Sequence, residues 1–184
     1  MCEMVNKKLK AWHSGIETAP RVALISGTGG KAFCAGGDVV TVYNAGKKKP
    51  GYDESIPSKF FAVEYLMDYS LSTMSPLQIA LWNGIVMGGG VGISCNAPIR
   101  VATEISMYAM PETGIGFFTD VGGSYFLPRV KNNPSIGLYL AMTGHRLKAK
   151  ELCAWGIATH YIPTDSLDNL RADLTNVEMS DTDE

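Results

Sequence analysis

The sequence predicts an α/β fold. Three observations carry that prediction: apolar runs of strand length alternate with runs of helical periodicity, the connections between them are short, and glycine clusters sit where strands hand over to helices. A chain of 184 residues with 46% hydrophobic content fits one domain and has ample material for a buried core.

In chain order, Met1 to about Ile16 reads as a helix with Met4, Val5, Leu9 and Trp12 on one face, followed by a loop through Pro20. Val22 to Ser26 is a buried strand. Gly27 to Asp38 holds five glycines and is expected to form neither regular helix nor strand, leaving its backbone open to contacts. A polar loop runs from about Ala45 to Pro57, and Ser58 is expected to cap a helix carrying Phe60, Phe61, Glu64, Tyr65 and Asp68 that stops before Pro76. Leu77 to Trp82 is a second buried strand turned at Asn83-Gly84, and Gly88, Gly89 and Gly90 lead into another helix. Strands follow near Ile99 to Ala102 and Met107 to Ala109, and Pro111-Glu112 opens an irregular segment. Helices resume near Ser124 to Val130, Ser135 to Thr143 and Ala149 to Trp155, with Gly144 and Gly156 as stops. Ile157 to Ile162 completes the strands. The domain is expected to span 1–177, and Glu178 to Glu184, with four acids in seven residues, reads as a frayed acidic tail.

Composition excludes several functions. Sixteen basic and eighteen acidic residues give a net charge of −2 without a basic run, so the footprint of a nucleic-acid binder is missing. Lys47, Lys48 and Lys49 precede Pro50-Gly51 and read as a solvated loop. Cys2, Cys34, Cys95 and Cys153 lie far apart without CxxC spacing, which fits a reducing compartment, and His13, His145 and His160 are not at ligand spacing, so no metal site is expected. From Tyr69 to Ile99 no side chain is charged, and Gly84, Gly88 and Gly92 repeat as in membrane-helix contacts. Pro76, Gln78, Asn83 and Asn96 interrupt that stretch below the roughly 20 apolar residues of a span, so it reads as soluble core and no membrane partner is expected. No secretory or transit segment is visible.

Two glycine turns, Ala35-Gly36-Gly37-Asp38 and Gly88-Gly89-Gly90, each follow a buried strand. Such turns expose backbone N–H groups, and a preorganised pair can hold an oxyanion, each donor being worth roughly 3 to 4 kcal/mol. Gly27, Gly29 and Ala32 also satisfy a GxGxxA dinucleotide pattern, but Gly36 and Gly37 fall where its helix should already be running. Gly92-Ile-Ser94-Cys-Asn96 lacks the last glycine of a GxSxG elbow. Tight packing alone would also use these glycines. Glu112 and Asp120, eight residues apart in a glycine-rich apolar segment, are candidates to divide acid and base duties; solvated loop acids are the alternative. Glu64 stands on an aromatic helical face, where a charge is costly unless paired.

The run Gly30-Lys-Ala-Phe-Cys-Ala-Gly-Gly-Asp38 resembles the first oxyanion loop of crotonase-fold enzymes, and Asn83-Gly-Ile-Val-Met-Gly-Gly-Gly-Val-Gly92 resembles the second. Arg100-Val-Ala-Thr-Glu104, Ala109-Met-Pro-Glu-Thr-Gly-Ile-Gly116, Asp120-Val-Gly-Gly-Ser-Tyr-Phe-Leu-Pro-Arg129, Thr143-Gly-His-Arg-Leu147 and Gly156-Ile-Ala-Thr-His160 look like the 3-hydroxyisobutyryl-CoA hydrolase branch. The likeness covers nearly the whole chain and implies a crotonase-like (ClpP/crotonase) ββα superhelix, truncated at both ends. A missing edge strand would make such a fragment weakly stable or prone to aggregate.

The resemblance implies further expectations. Oxyanion donors would be the N–H groups of Gly37 and Gly89, CoA would lie near Asp38 and Val39, Glu64 would bind substrate, and Glu112 and Asp120 would be catalytic. Hydratase relatives place a glutamate where this chain has Gly92, so two-glutamate hydration is not expected. The implied reaction is hydrolysis of 3-hydroxyisobutyryl-CoA in valine catabolism, with no cofactor beyond the CoA of the substrate. Rivals are another crotonase-fold hydratase or isomerase and a non-catalytic structural homologue of the mitochondrial-ribosome type. The family also implies mitochondrial placement in a eukaryote and oligomers of the full-length protein.

Overall fold

A computed structural model describes residues 1–51 and 53–176. The chain opens with α1 (Cys2–His13), then β1 (Val22–Ser26), β2 (Ala32–Cys34), α2 (Val39–Gly46) and α3 (Ile56–Ser72). It continues through β3 (Leu77–Trp82), β4 (Ile85–Met87), the single-turn α4 (Gly89–Gly92), β5 (Ile99–Ala102) and β6 (Met107–Ala109). A 3-10 turn at Glu112–Ile115 precedes α5 (Gly123–Phe126), a second 3-10 segment at Leu127–Asn132, α6 (Pro134–Thr143), β7 (Leu147–Lys148), α7 (Ala149–Ala154) and β8 (His160–Tyr161). A last 3-10 turn, Thr164–Ser166, leads into α8 (Leu167–Asn176).

From β1 to β6 successive strands alternate between two four-stranded sheets, β1-β3-β5-β8 and β2-β4-β6-β7; β7 then joins the sheet of β6 and β8 the other, and all pairs are parallel except β7 against β6. Each strand pair therefore adds one rung to each sheet. Along β3 the residues alternate between two cores: Ala80 and Trp82 face the main one with Phe33, Met67, Val86 and Tyr108, while Ile79 and Leu81 face a smaller one with Val101 and Leu167. A parallel strand covered on both faces loses the polar alternation of a half-exposed strand, which is why β3 reads as a continuous apolar run.

Several expectations need correction. Ala32–Cys34 is a strand inside the glycine-rich stretch, because three residues suffice to pair in parallel with β4 (Ala32↔Ile85, Cys34↔Val86). The helix α2 begins directly after Asp38, where no helix is expected. The next helix starts at Ile56 with Pro57 in its first turn, and Ser58, inside it, donates to the Ser55 carbonyl instead of capping. Met4 is 76% exposed; the buried face of α1 is Cys2, Val5, Leu9 and Trp12. The last strand is only His160–Tyr161, and the segment after it forms α8, whose Leu167, Leu170 and Leu174 cover the smaller core. The expected tail from Glu178 lies outside the described residues. Among the described residues no helix is long and apolar enough to cross a membrane.

Candidate active site

Parallel pairing of β2, β4 and β6 brings the turns that leave their C-terminal ends side by side. The register Ile85↔Met107 to Met87↔Ala109, continued by Gly88 N–H donating to the Ala109 carbonyl at 3.4 Å, sets the second glycine turn beside Pro111-Glu112. The first glycine turn closes on the second: a Cβ on Gly36 would stand 3.4 Å from the Gly89 nitrogen. Gly36 takes φ +99° and Gly88 φ +52°, conformations that a side chain would strain, so glycine at these positions lets the two turns meet.

The N–H groups of Gly37 and Gly89 donate to no backbone acceptor among the described residues. Gly89, at the first position of α4, has no earlier helical carbonyl to bond. The tip of the Phe60 ring abuts Gly37 on its Cβ side. Asp38 caps α2 by accepting from Thr41 N–H at 3.1 Å and Thr41 Oγ1 at 2.6 Å, and those bonds hold its carboxyl below the usual range. Val39 opens the exposed face of α2.

Carboxyls surround the paired turns. A Cβ on Gly88 would stand 3.0 Å from Glu112 Oε1, and one on Gly89 would stand 2.5 Å from Glu64 Oε1. Both acids are buried, Glu112 at 7% and Glu64 at 6% exposure. Burial first, then the charge of Asp120, pushes Glu64 up to about 7, and burial likewise raises Glu112 to about 7. Glu112 Oε2 has no hydrogen-bond partner. Asp120 accepts from the Tyr65 hydroxyl at 2.7 Å; burial raises it, and that hydrogen bond opposes the rise. Of the three acids picked from the sequence, Glu64 and Glu112 thus stand against the second glycine turn, and Asp120 lies close enough for its charge to raise both.

Sequence reasoning passed over two members of this assembly. Asp68, a turn beyond Glu64 on α3, is also buried, and neither of its oxygens has a partner. The signal was present: Glu64 and Asp68 share a helical face, and no basic residue occurs between Lys59 and Arg100 to pair them. Val121, next to Asp120, adopts φ +46°, a strained position for a β-branched residue, and is locked by burial at 4% exposure. No local pattern announces that strain. A cavity of about 760 Å³ runs along Tyr65, Asp68, Asn96, Asp120 and Ser124. Another, of about 530 Å³ between α1 and α3, is lined by Leu9, Trp12 and Leu66 and reaches none of these acids. No group of side chains suited to a metal ion is found among the described residues.

The whole chain, residues 1–184, matches the family model described as enoyl-CoA hydratase/isomerase. It is 43% identical to the mitochondrial 3-hydroxyisobutyryl-CoA hydrolase of Danio rerio over 178 residues, covering 97% of this chain and 44% of that relative. To the Homo sapiens protein of the same name it is 44% identical over 174 residues, covering 95% and 43%. The chain thus spans less than half the length of these curated relatives. Among solved structures, a carnitinyl-CoA dehydratase from Mycobacterium thermoresistibile superposes with a TM-score of 0.82 at 35% identity, covering 96% of this chain and 51% of that one. An enoyl-CoA hydratase from Rhodobacter sphaeroides gives 0.82 at 32% identity, covering 100% and 54%. The α/β architecture with parallel sheets is the fold of these structures.

Proposed function

The chain belongs to the enoyl-CoA hydratase/isomerase family, and on that premise we propose that it carries the core of an acyl-CoA thioester hydrolase. Its substrate is 3-hydroxyisobutyryl-CoA, released as 3-hydroxyisobutyrate and free CoA in valine breakdown. The observation that carries this reading is Glu112: a buried carboxyl with a free oxygen, raised to about 7, against a glycine turn whose next amide is unbonded. The hydrolase names of relatives at 43% and 44% identity support it.

In this mechanism the thioester carbonyl oxygen accepts from Gly37 and Gly89 N–H, which stabilise the tetrahedral intermediate. Glu112 either adds to the carbonyl carbon itself or takes a proton from the water that does, and at neutral pH enough of it is ionised for either task. In the nucleophilic route the adduct expels the CoA thiolate as the C–S bond breaks, Asp120 gives that sulfur its proton, and water then hydrolyses the Glu112 acyl anhydride and restores the carboxylate; in the general-base route Asp120 orients the water, and Glu112 passes the proton it took to the departing sulfur. Glu64 takes the 3-hydroxyl end, and CoA runs along Asp38 and Val39. No cofactor beyond the CoA of the substrate is required. Mitochondrial placement follows the names of the relatives, and assembly into oligomers belongs to the full-length form.

The hydratase reading draws on the solved structures, but at Gly92, where the hydratase glutamate is expected, Asp68 and Val121 already fill the side-chain space. One assay tests the proposal: CoA release from 3-hydroxyisobutyryl-CoA and from crotonyl-CoA, using this chain and a version extended to the relatives' length. Hydrolysis of the first substrate, reduced about 10²- to 10⁴-fold by Glu112→Gln, is expected. Normal turnover in that variant would overturn it. Activity on crotonyl-CoA alone would favour the hydratase, and co-sedimentation with ribosomes without activity would favour the structural homologue.

A further inference from the structure

Behind the second glycine turn stands a carboxyl that this mechanism leaves unused. Asp68 is 8% exposed, and both its oxygens lack a hydrogen-bond partner. Its Oδ2 lies 2.7 Å from where a Cβ on Gly92 would be, and Gly92 closes the single turn α4 that Gly89 opens. The same residue forms part of the wall of the cavity that reaches Tyr65 and Asp120. Native interiors seldom leave a buried polar atom unbonded, so an acid that stays so at the edge of a reaction site asks for a chemical reason.

The titratable groups that face Asp68, two acting on it by charge and four raised by its own, come from the neighbouring elements. They are Glu64 and Tyr65 on α3 itself, Cys2 at the start of α1, Cys34 at the end of β2, Cys95 beyond α4, and Asp120. None of them is a cation. Burial, followed by the charges of Glu64 and Asp120, pushes Asp68 up to about 8. A buried carboxylate with neither a cation nor a donor is costly, and the group avoids that cost by keeping its proton.

We propose that Asp68 is a positioning residue that serves the reaction as a neutral acid, keeping the space behind the Gly89 amide free of negative charge while charge builds on the substrate's carbonyl oxygen. The inference rests on the thioester-hydrolysis reading and adds to it a residue and a required charge state. Were Asp68 to ionise, a unit negative charge about one helical turn from the oxyanion would slow addition by on the order of tenfold.

The test is the pH profile of kcat/KM for 3-hydroxyisobutyryl-CoA in the unmodified chain, Asp68→Asn and Asp68→Ala, with the carboxyl carbon of Asp68 titrated by NMR in aspartate-labelled protein. The unmodified chain is expected to lose about tenfold as pH rises through 8, and both neutral variants to lose that step, keeping only the earlier one set at about 7 by Glu64 against Gly89. Two variants guard against one misfolding. A falling limb at the same pH in both would overturn the proposal, because a purely structural role would shift rates without moving that limb. The titration separates this failure from failure of the hydrolase reading. If no acyl-CoA is turned over, the hydrolase reading falls, and with it the catalytic role. A carboxyl midpoint below pH 5 overturns the neutral acid on its own.

Discussion

The two sides of the second glycine turn treat buried polar atoms in opposite ways. On the core side each one is bonded: Trp82 Nε1 donates to Ser94 Oγ at 2.9 Å, Ser94 Oγ donates to the Gly90 carbonyl at 2.8 Å, and Gln78 Nε2 donates to the Ile93 carbonyl at 2.7 Å. Arg100 follows the same rule, its guanidinium donating to the carbonyls of Ile157, Ala97 and Gly156. On the other side, Asp68 and Glu112, comparably buried, leave three carboxylate oxygens unbonded. Around this turn, burial alone does not separate the two sides; burial without satisfaction does, though Asn6 Oδ1 on α1, away from the turn, is also unbonded.

Gly90 belongs to both sides, and changing it gives the largest expected effect. Its carbonyl receives Ser94, while a Cβ on it would collide with the Cys34 carbonyl of β2, a backbone atom that cannot rotate away. Gly90→Ala is expected to cost about 3 kcal/mol or more, read as a lowered denaturation midpoint. A soluble variant with an unchanged midpoint would mean that the two turns do not approach as described.

The next effect sets the two sides against pH. Asp68, Glu64 and Glu112 all have raised values in the folded chain, so between about pH 4 and pH 8 the unfolded chain binds fewer protons and stability falls as pH rises. Asp68→Asn removes the largest of these contributions and is expected to raise stability by about 2–3 kcal/mol at pH 8, with the gain fading toward pH 4. Urea melts at the two pH values check this, and a gain of equal size at both would contradict it. On the core side, Ser94→Ala leaves the buried Trp82 N–H without an acceptor and is expected to cost about 1–3 kcal/mol at either pH. A pH-dependent loss there would erase the distinction between the two sides.

The same distinction explains what could be read from the sequence. The strands Val22–Ser26, Leu77–Trp82, Ile99–Ala102 and Met107–Ala109 are legible because apolar runs bounded by turn residues leave few alternatives. The strand Ala32–Cys34 is not, since it is too short to outweigh its glycines and exists through pairing with a distant partner. The helix α8 carries its signal in the spacing of Leu167, Leu170 and Leu174, which the acids and polar residues between them obscure. At the site, Glu112 and Asp120 stand out as acids in an apolar segment. Asp68 is fainter: beside Tyr69 and Ser70 it resembles a solvated helix position, and its only sequence signal is the face it shares with Glu64 without a basic partner, its burial against Gly92 coming from packing.

Tyr65 offers the smallest and finest probe, since among the described residues it gives one acid beside the turn its side-chain donor. Its hydroxyl donates to Asp120 Oδ2 at 2.7 Å, a bond that favours the ionised carboxylate and opposes the rise that burial imposes. Tyr65→Phe removes that donor while keeping the ring, which packs 5.6 Å from the ring of Phe61. Asp120 is then expected to titrate at higher pH, moving the limb of the rate profile that it controls in the same direction. Where Asp120 orients the water as a carboxylate, turnover near neutrality should fall by about fivefold, the kinetic equivalent of one hydrogen bond worth roughly 1 kcal/mol; where it gives the thiolate its proton, turnover there should hold while the limb moves. The pH-rate profile of the variant checks both. A profile that keeps its shape and position would mean that Asp120 is held by its backbone surroundings alone, and that Tyr65 belongs with the packing residues of α3 rather than with the acids.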